Sequence, residues 1–389
     1  MMRWRMLGLL FAARVGLGFH FQTMGSAGPG ASAAFGMDNT ALGLMIGLFM
    51  FPGLVLALPA GLLSRFGSDR VLGALGLATL VLGGVISAGA AQPAGLGFGR
   101  LVAGAGFLFC TLYITKMVAD WFEGHEVSTA MSLLVTSWPL GIAMGQVGHT
   151  YLAEVYGWRV PFLVAAAYCT VAAVALWALY RPPASFTDRS PVDGMRLLPR
   201  EWALMLAAGL TWGIYNAGYV VYLSFGPTLL ESQGMAPLAA ASVISLGSWL
   251  MIFSAVLCGQ IVDRYGHRDL VLIFCMIVAA AALLLLMRPG SGLVASLLFG
   301  LFGLAPAGVI MALAGQAVAP ARRSFGMGVF FTIYYAAMSL SPAVAGRLLD
   351  RSGDPAAVLI YGAVLFLLAL IAAGAFRLVQ GMTQRPVEP

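Results

Sequence analysis

Twelve apolar stretches, each long enough to cross a bilayer, follow one another along this chain and leave little else to fold. A crossing helix needs about 20 apolar residues, and runs of that kind occupy 7–33, 41–63, 71–91, 94–117, 128–149 and 159–180. A second set occupies 202–230, 237–258, 270–287, 293–315, 326–346 and 356–376. Backbone polar groups in hydrocarbon must be satisfied within the protein, so membrane-spanning α-helices are the expected form. Composition excludes a soluble globule: 60% of residues are hydrophobic and 9% charged, against roughly 25% charged in an ordinary soluble domain.

The formal charge of +6 does not mark a nucleic-acid binder, because the basic residues form neither a stripe nor a tail. They lie in small groups between the stretches: Arg3 and Arg5, Arg65 and Arg70, Arg181, Arg189, Arg196 and Arg200, Arg264 and Arg268, Arg322 and Arg323, Arg377 and Arg385. An even number of crossings puts all of these on one side, and the other side keeps mainly Arg159, Arg288, Arg347 and Arg351. The excess of basic residues then places both termini in the cytoplasm, with the chain in a bacterial inner membrane. Cys110, Cys169, Cys258 and Cys275 all fall inside apolar stretches and show no disulfide or metal-ligand spacing. No Gly-rich phosphate loop or nucleophile–base pair is present, so neither an enzyme, a metal nor a cofactor is expected. The first residues look like a cleavable signal ending at Ala31-Ser32-Ala33, but Arg14 and His20 interrupt its apolar run.

The Pro- and Arg-rich segment 181–200 divides the chain into an N-terminal six-helix bundle (1–180) and a C-terminal one (201–377), with a tail at 378–389. The halves echo one another, as in carriers built by duplication. Leu63-Ser64-Arg65-Phe66-Gly67-Ser68-Asp69-Arg70 follows the second stretch, and Gly259-Gln260-Ile261-Val262-Asp263-Arg264-Tyr265-Gly266-His267-Arg268 follows the eighth. At these residues the chain resembles the major facilitator superfamily over essentially its whole length. Gly259, Asp263, Arg264, Gly266 and Arg268 fit the loop motif of that family fully. In the first copy Arg65 and Gly67 fit, while Ala60 and Ser64 replace the leading Gly and the Asp. The resemblance implies a charged latch between neighbouring helices that closes in one state and opens in another. Asp69 is the candidate substitute for the missing acid. Arg100-Leu101-Val102-Ala103-Gly104-Ala105-Gly106 is a weaker match, and Trp121-Phe122-Glu123 and Arg323-Ser324-Phe325-Gly326-Met327-Gly328 are similar to the cyanate-permease branch of small-anion carriers.

No Asp or Glu lies within any apolar stretch, yet Arg14 lies well inside the first and Arg100 inside the fourth. An intramembrane cation costs several kcal/mol, so it normally faces a protein interior or a wet cavity. Arg14 sits roughly 12 Å into a core about 30 Å thick, close to the midplane where such carriers bind substrate. A fixed cation there suits an anion; the structural alternative is an Arg that snorkels or caps the carbonyls of a broken neighbour. Gln22 follows Arg14 at a multiple of four and shares its wall, while His20 points elsewhere by helical phase. On the fourth stretch Arg100, Gly104, Phe107, Thr111 and Thr115 share a face, and Arg100 is open to either a coupling role or interfacial snorkelling. Tyr215, Asn216, Tyr219 and Tyr222 beside Trp212, with Thr332, Tyr334 and Tyr335 of the eleventh stretch, supply aromatic walls and an amide. Pro139 predicts a bend in the fifth.

The substrate-binding set expected from the sequence is Arg14, His20, Gln22, Thr111, Tyr215, Asn216, Tyr219 and Tyr335. With carboxylates confined to connections, coupling falls to exchange of anions, or to a proton carried by His20 or by the substrate, with Arg100 as a second coupling candidate. What the resemblance implies is a secondary transporter for a small anionic solute, an exchanger or proton symporter working as a monomer by alternating access. The alternative is a multidrug efflux pump on the same fold, which Arg14 disfavours by repelling lipophilic cations.

Overall fold

The computed structural model describes residues 2–60, 68–123, 126–183, 197–319 and 322–381, and all its regular elements are helical. In the first half they are α1 (Met2–Phe35), α2 (Asn39–Leu48), α3 (Phe51–Ala60), α4 (Asp69–Ala88), α5 (Pro93–Trp121), α6 (Val127–Tyr156) and α7 (Val160–Leu179). In the second they are α8 (Pro199–Ser232), α9 (Pro237–Tyr265), α10 (Arg268–Leu286), α11 (Gly292–Leu298), α12 (Ala307–Ala317), α13 (Arg323–Ser352) and α14 (Pro355–Gly381). Among the described residues, eleven helical segments are long and apolar enough to cross a membrane. The twelfth helix, α1, is 34 residues long and carries Arg14, His20, Gln22 and Thr23 along its middle.

Two stretches that read as single runs are interrupted. The second breaks at Phe49 and Met50, where the Met50 amide donates to Gly47 three residues back and α3 restarts just before Pro52. The tenth passes from α11 into a π-helical turn at Phe299–Gly303, and α12 begins only after Pro306. Proline cannot donate to the helical ladder, and a π turn leaves carbonyls available to side chains. Elsewhere the helices outrun their apolar stretches. Bilayer thickness limits the apolar run, but helical bonding continues through the headgroup layer until Gly157, Gly266 and Gly353 end α6, α9 and α13 at φ values of 89°, 73° and 67°.

Without a hydrophobic drive between helices in lipid, small residues decide which backbones approach closely. α1 packs on α6 and α7, α4 on α5 and α7, α8 on α13 and α14, and α10 on α14. At the α1–α6 contact a Cβ on Gly18 would stand 2.4 Å from the Trp138 carbonyl, and one on Gly141 would stand 2.2 Å from the Val15 carbonyl. Gly141→Leu is therefore expected to push α6 off α1 and to cost about 1–3 kcal/mol or more by overpacking, read as a fall in melting midpoint in detergent. An unchanged midpoint would show that this contact yields without loss. Contacts between the first and second sets of helices run from α13 to α2 and α3, from α6 to α9, and from α1 to α8.

Ion pairs tie neighbouring helices together at their ends. Arg3 meets Glu126 at 2.8 Å, Lys116 meets Asp69 at 2.5 Å, and Arg377 meets Asp269 at 2.8 Å. Glu201 takes two hydrogen bonds from Arg322 Nε and Nη2 at 2.8 and 2.9 Å, plus the Leu198 amide at 2.9 Å. The carboxylate raises the Arg322 guanidinium above its ordinary range by hydrogen bonding to its charged form.

The expected latch takes another form. Arg65 and Gly67 lie outside the described residues. Asp69 joins α4 to Lys116 of α5, within the first half. Among the described residues Asp263 pairs with Arg268 across its own turn, at 3.9 Å with both side chains exposed. Arg264 lies over the ring of its neighbour Tyr265, Gly266 supplies the positive φ of that turn, and nothing stands within 4 Å of a Cβ on Gly259. Among the described residues the second copy thus shapes a tight turn with a local pair, while Asp69 in the first bonds a neighbouring helix.

Candidate functional site

Arg14 projects from α1 toward the Pro139-containing helix α6. Its Nη1 donates to the Leu134 carbonyl at 2.7 Å and approaches Ser137 Oγ at 3.5 Å. Ser137 donates to the same carbonyl at 2.6 Å, so α6 offers Arg14 one shared anchor, five residues before Pro139. Arg14 Nε is buried with no partner. Part of the expected carbonyl-capping role is therefore real: it engages Nη1 and leaves Nε without a hydrogen bond among the described residues. No carboxylate pairs with Arg14 among the described residues.

Tyr334 and Tyr335 of α13 come close enough to Arg14 to interact electrostatically with it, bringing the second half of the chain to a cation in the first. Their rings meet at 5.0 Å and 63°, Phe331 lies 6.3 Å from Tyr335, and Trp212 of α8 lies 6.2 Å from Tyr334. The Tyr335 ring rests on α3: a Cβ on Gly53 would sit 2.5 Å from its ring atoms. Neither phenol is committed to a hydrogen bond among the described residues. A guanidinium with a free edge beside an aromatic wall is suited to an anion with a flat apolar body, because the fork binds a carboxylate in two parallel hydrogen bonds.

Arg100 is placed differently. It has no exposed surface. Its Nε donates to the Met45 carbonyl at 3.2 Å, Nη1 to Thr23 Oγ1 at 3.2 Å and Nη2 to the Phe21 carbonyl at 3.4 Å, and its charge sits 4.5 Å from the Phe49 ring centroid. The group is enclosed by protein on all sides. All three nitrogen positions are used to hold α1 and α2 on α5.

Of the residues expected from the sequence, Tyr335 stands beside Arg14, while most others have their polar groups engaged in packing. His20 is enclosed against α4, its Nε2 3.1 Å from the Leu80 carbonyl and its ring stacked on Phe49. Gln22 donates to Gln146 at 2.5 Å and ties α1 to α6 instead of lining a wall with Arg14. Tyr215 donates to the Leu304 carbonyl at 2.9 Å, beside the interrupted tenth crossing, and Tyr219 shares a 2.6 Å bond with Ser248. Tyr222 donates to the Ile244 carbonyl at 2.9 Å and Asn216 to its own helix at Trp212. The aromatic stripe of α8 is thus mostly core of the second half, as a helix crossing with a buried polar tip must be. Thr111 keeps a buried hydroxyl without a partner. His149 is equally enclosed, its Nε2 2.9 Å from the Phe19 carbonyl. Gly53 and the Leu134 carbonyl carry no sequence signal of their own, because only the assembled helices bring them to Tyr335 and Arg14.

A family model described as Major Facilitator Superfamily matches residues 10–342 and 210–388. The chain is 23% identical to the 3-(3-hydroxy-phenyl)propionate transporter of Escherichia coli (strain K12), over 88% of this chain and 86% of that protein. It is 27% identical to the 4-hydroxybenzoate transporter PcaK of Pseudomonas putida, over 72% of this chain and 70% of that protein. Against solute carrier family 49 member A3 of Xenopus tropicalis it is 26% identical over 72% of its length and spans 64% of the relative. The crystal structure of the nucleoside transporter NupG superposes with a TM-score of 0.74, covering 99% of this chain and 100% of that one at 14% identity. That likeness is one of fold.

Proposed function

The chain is a member of the Major Facilitator Superfamily, a multi-pass membrane transporter and not an enzyme, and from that premise we propose that it carries a small aromatic carboxylate held by Arg14. The observation that carries this reading is the Arg14 guanidinium, which has no carboxylate partner among the described residues and whose Nε makes no hydrogen bond, with Tyr334 and Tyr335 close enough to interact with it electrostatically. A substrate carboxylate would complete the fork, and its ring would lie against Tyr334, Tyr335 and Trp212, where ring pairs add about 0.5–1.5 kcal/mol beyond area. Two relatives named for hydroxylated aromatic acids support the same class.

The carrier is taken to work by alternating access as a monomer. Its two six-helix bundles, 1–180 and 201–377, are joined by 181–200, and both termini and the tail 378–389 are cytoplasmic in a bacterial inner membrane. His20 and His149 have no exposed surface, which favours coupling through the substrate: exchange against a second anion, or entry of the anion with its own proton. A broad efflux pump for lipophilic cations is disfavoured, because an unpaired Arg14 repels them.

The test is uptake of labelled 4-hydroxybenzoate into proteoliposomes, with tetraphenylphosphonium as the cationic control. Saturable uptake of the acid, accelerated by preloaded acid or an inward proton gradient and absent for the cation, is the expected result. Transport of the cation without the acid would overturn the reading. Tyr335→Ala should weaken the aromatic acid by about fivefold or more while leaving acetate, which has no ring to stack, unchanged.

A further inference from the structure

We infer that Asp350 is a latch closing the carrier at the end of the bundle where α1 passes into α2, by reaching across from the second half to cap the N-terminus of α2. Asp350 Oδ1 accepts from the Asn39 amide at 3.0 Å and from Asn39 Nδ2 at 2.8 Å. Its Oδ2 accepts from the Thr40 amide at 2.7 Å and from Thr40 Oγ1 at 2.6 Å. A helix N-terminus presents unpaired amides and the positive end of its dipole, so a carboxylate there is favoured. Helix α2 already has a local cap, since Asp38 accepts from the Ala41 amide at 2.7 Å. The second carboxylate, 311 positions away in sequence, does what a local cap cannot: it fastens one half to the other.

Beneath the latch, α2 and α13 run antiparallel with backbones in contact. A Cβ on Gly346 would stand 1.9 Å from the Asn39 carbonyl, one on Gly43 2.0 Å from Pro342, and one on Gly47 2.0 Å from Ser339. One step deeper the seam reaches Gly53 against the ring of Tyr335, so it is continuous with the wall beside Arg14. Toward the opposite end, α6 and α9 enclose a groove of about 310 Å³ lined by Leu133, Thr136, Phe253, Leu257 and Gln260. No ion pair joins the halves there among the described residues. Asp350 is exposed, so water can replace its bonds. Such bonds are weak enough to reverse, as a gate requires and a permanent staple would not.

The inference rests on the alternating-access reading but not on the substrate, so it is tested on purified, substrate-free protein. Spin labels at Ala34→Cys and Arg351→Cys flank the seam on exposed positions, and the native cysteines are buried. The expected result is a narrow short-distance population that Asp350→Ala converts to a longer, broader one, the ratio of long to short rising by about tenfold. Gly346→Leu, which wedges the seam without touching the carboxylate, should give the same long population. Unchanged distances in Asp350→Ala, with or without opening by Gly346→Leu, would overturn the latch. A failure to bind aromatic acids would remove the proposed substrate and leave these distances as they are.

Discussion

Arg14→Met is expected to weaken anion binding by about tenfold to 150-fold while leaving the folded protein at least as stable as before. The loss follows from the chemistry of the site. A hydrogen bond to a charged group is worth about 1.5–3 kcal/mol, so removing the fork weakens a carboxylate by about tenfold to 150-fold. Stability moves the other way because Arg14 has no counter-charge and only one hydrogen-bonded nitrogen. A central Arg costs about 2.5–3.5 kcal/mol on membrane-insertion scales, and methionine removes that cost at the loss of one bond to Leu134. Ligand-induced thermal shift and the ligand-free melting midpoint read the two effects separately. Arg14→Lys should recover part of the binding, since it restores the charge but not the planar fork. If the Met variant bound 4-hydroxybenzoate normally, or melted well below the parent, Arg14 would be a structural tie and the site would lie elsewhere.

Arg100→Ala should do the opposite and lose the fold. Its three bonds to Met45, Thr23 and Phe21 and its place over Phe49 hold α1, α2 and α5 together. Truncation opens a cavity and leaves buried acceptors unpaired, together about 3–5 kcal/mol. Size-exclusion chromatography should show aggregation or a sharply lowered melting midpoint. A well-folded variant that had lost only transport would return Arg100 to a coupling role. The same residue type inside two crossing helices thus acts in opposite ways, and the difference lies in how many nitrogens the neighbouring helices satisfy.

The membrane character, the helical form and the approximate crossings were legible in the sequence, because bilayer thickness converts directly into the length of an apolar run. The family was legible in one full copy of a loop motif, Gly259 to Arg268, and in the repeat of six stretches on either side of 181–200. Arg14 stood out as a candidate because a cation in an apolar stretch is conspicuous in the sequence alone. The interruptions at Phe49 and Phe299–Gly303 were hidden, since a broken helix keeps the same apolar composition as an intact one.

What the sequence could not separate were buried polar groups that bind and buried polar groups that pack. Gln22, Tyr215 and Tyr219 satisfy themselves on Gln146, the Leu304 carbonyl and Ser248, and His20 sets one ring nitrogen on the Leu80 carbonyl and leaves the other without a partner, the partners lying from 29 to 124 positions away. Of Arg14 and Arg100, only Arg14 keeps a nitrogen without a partner among the described residues, and Tyr334 and Tyr335 of α13 interact with it electrostatically. Apolar length is a local property and is written along the chain. Whether a donor is spent or free depends on which carbonyl a distant helix presents to it, and only the packing of small residues such as Gly18, Gly43 and Gly141 decided how close those helices came.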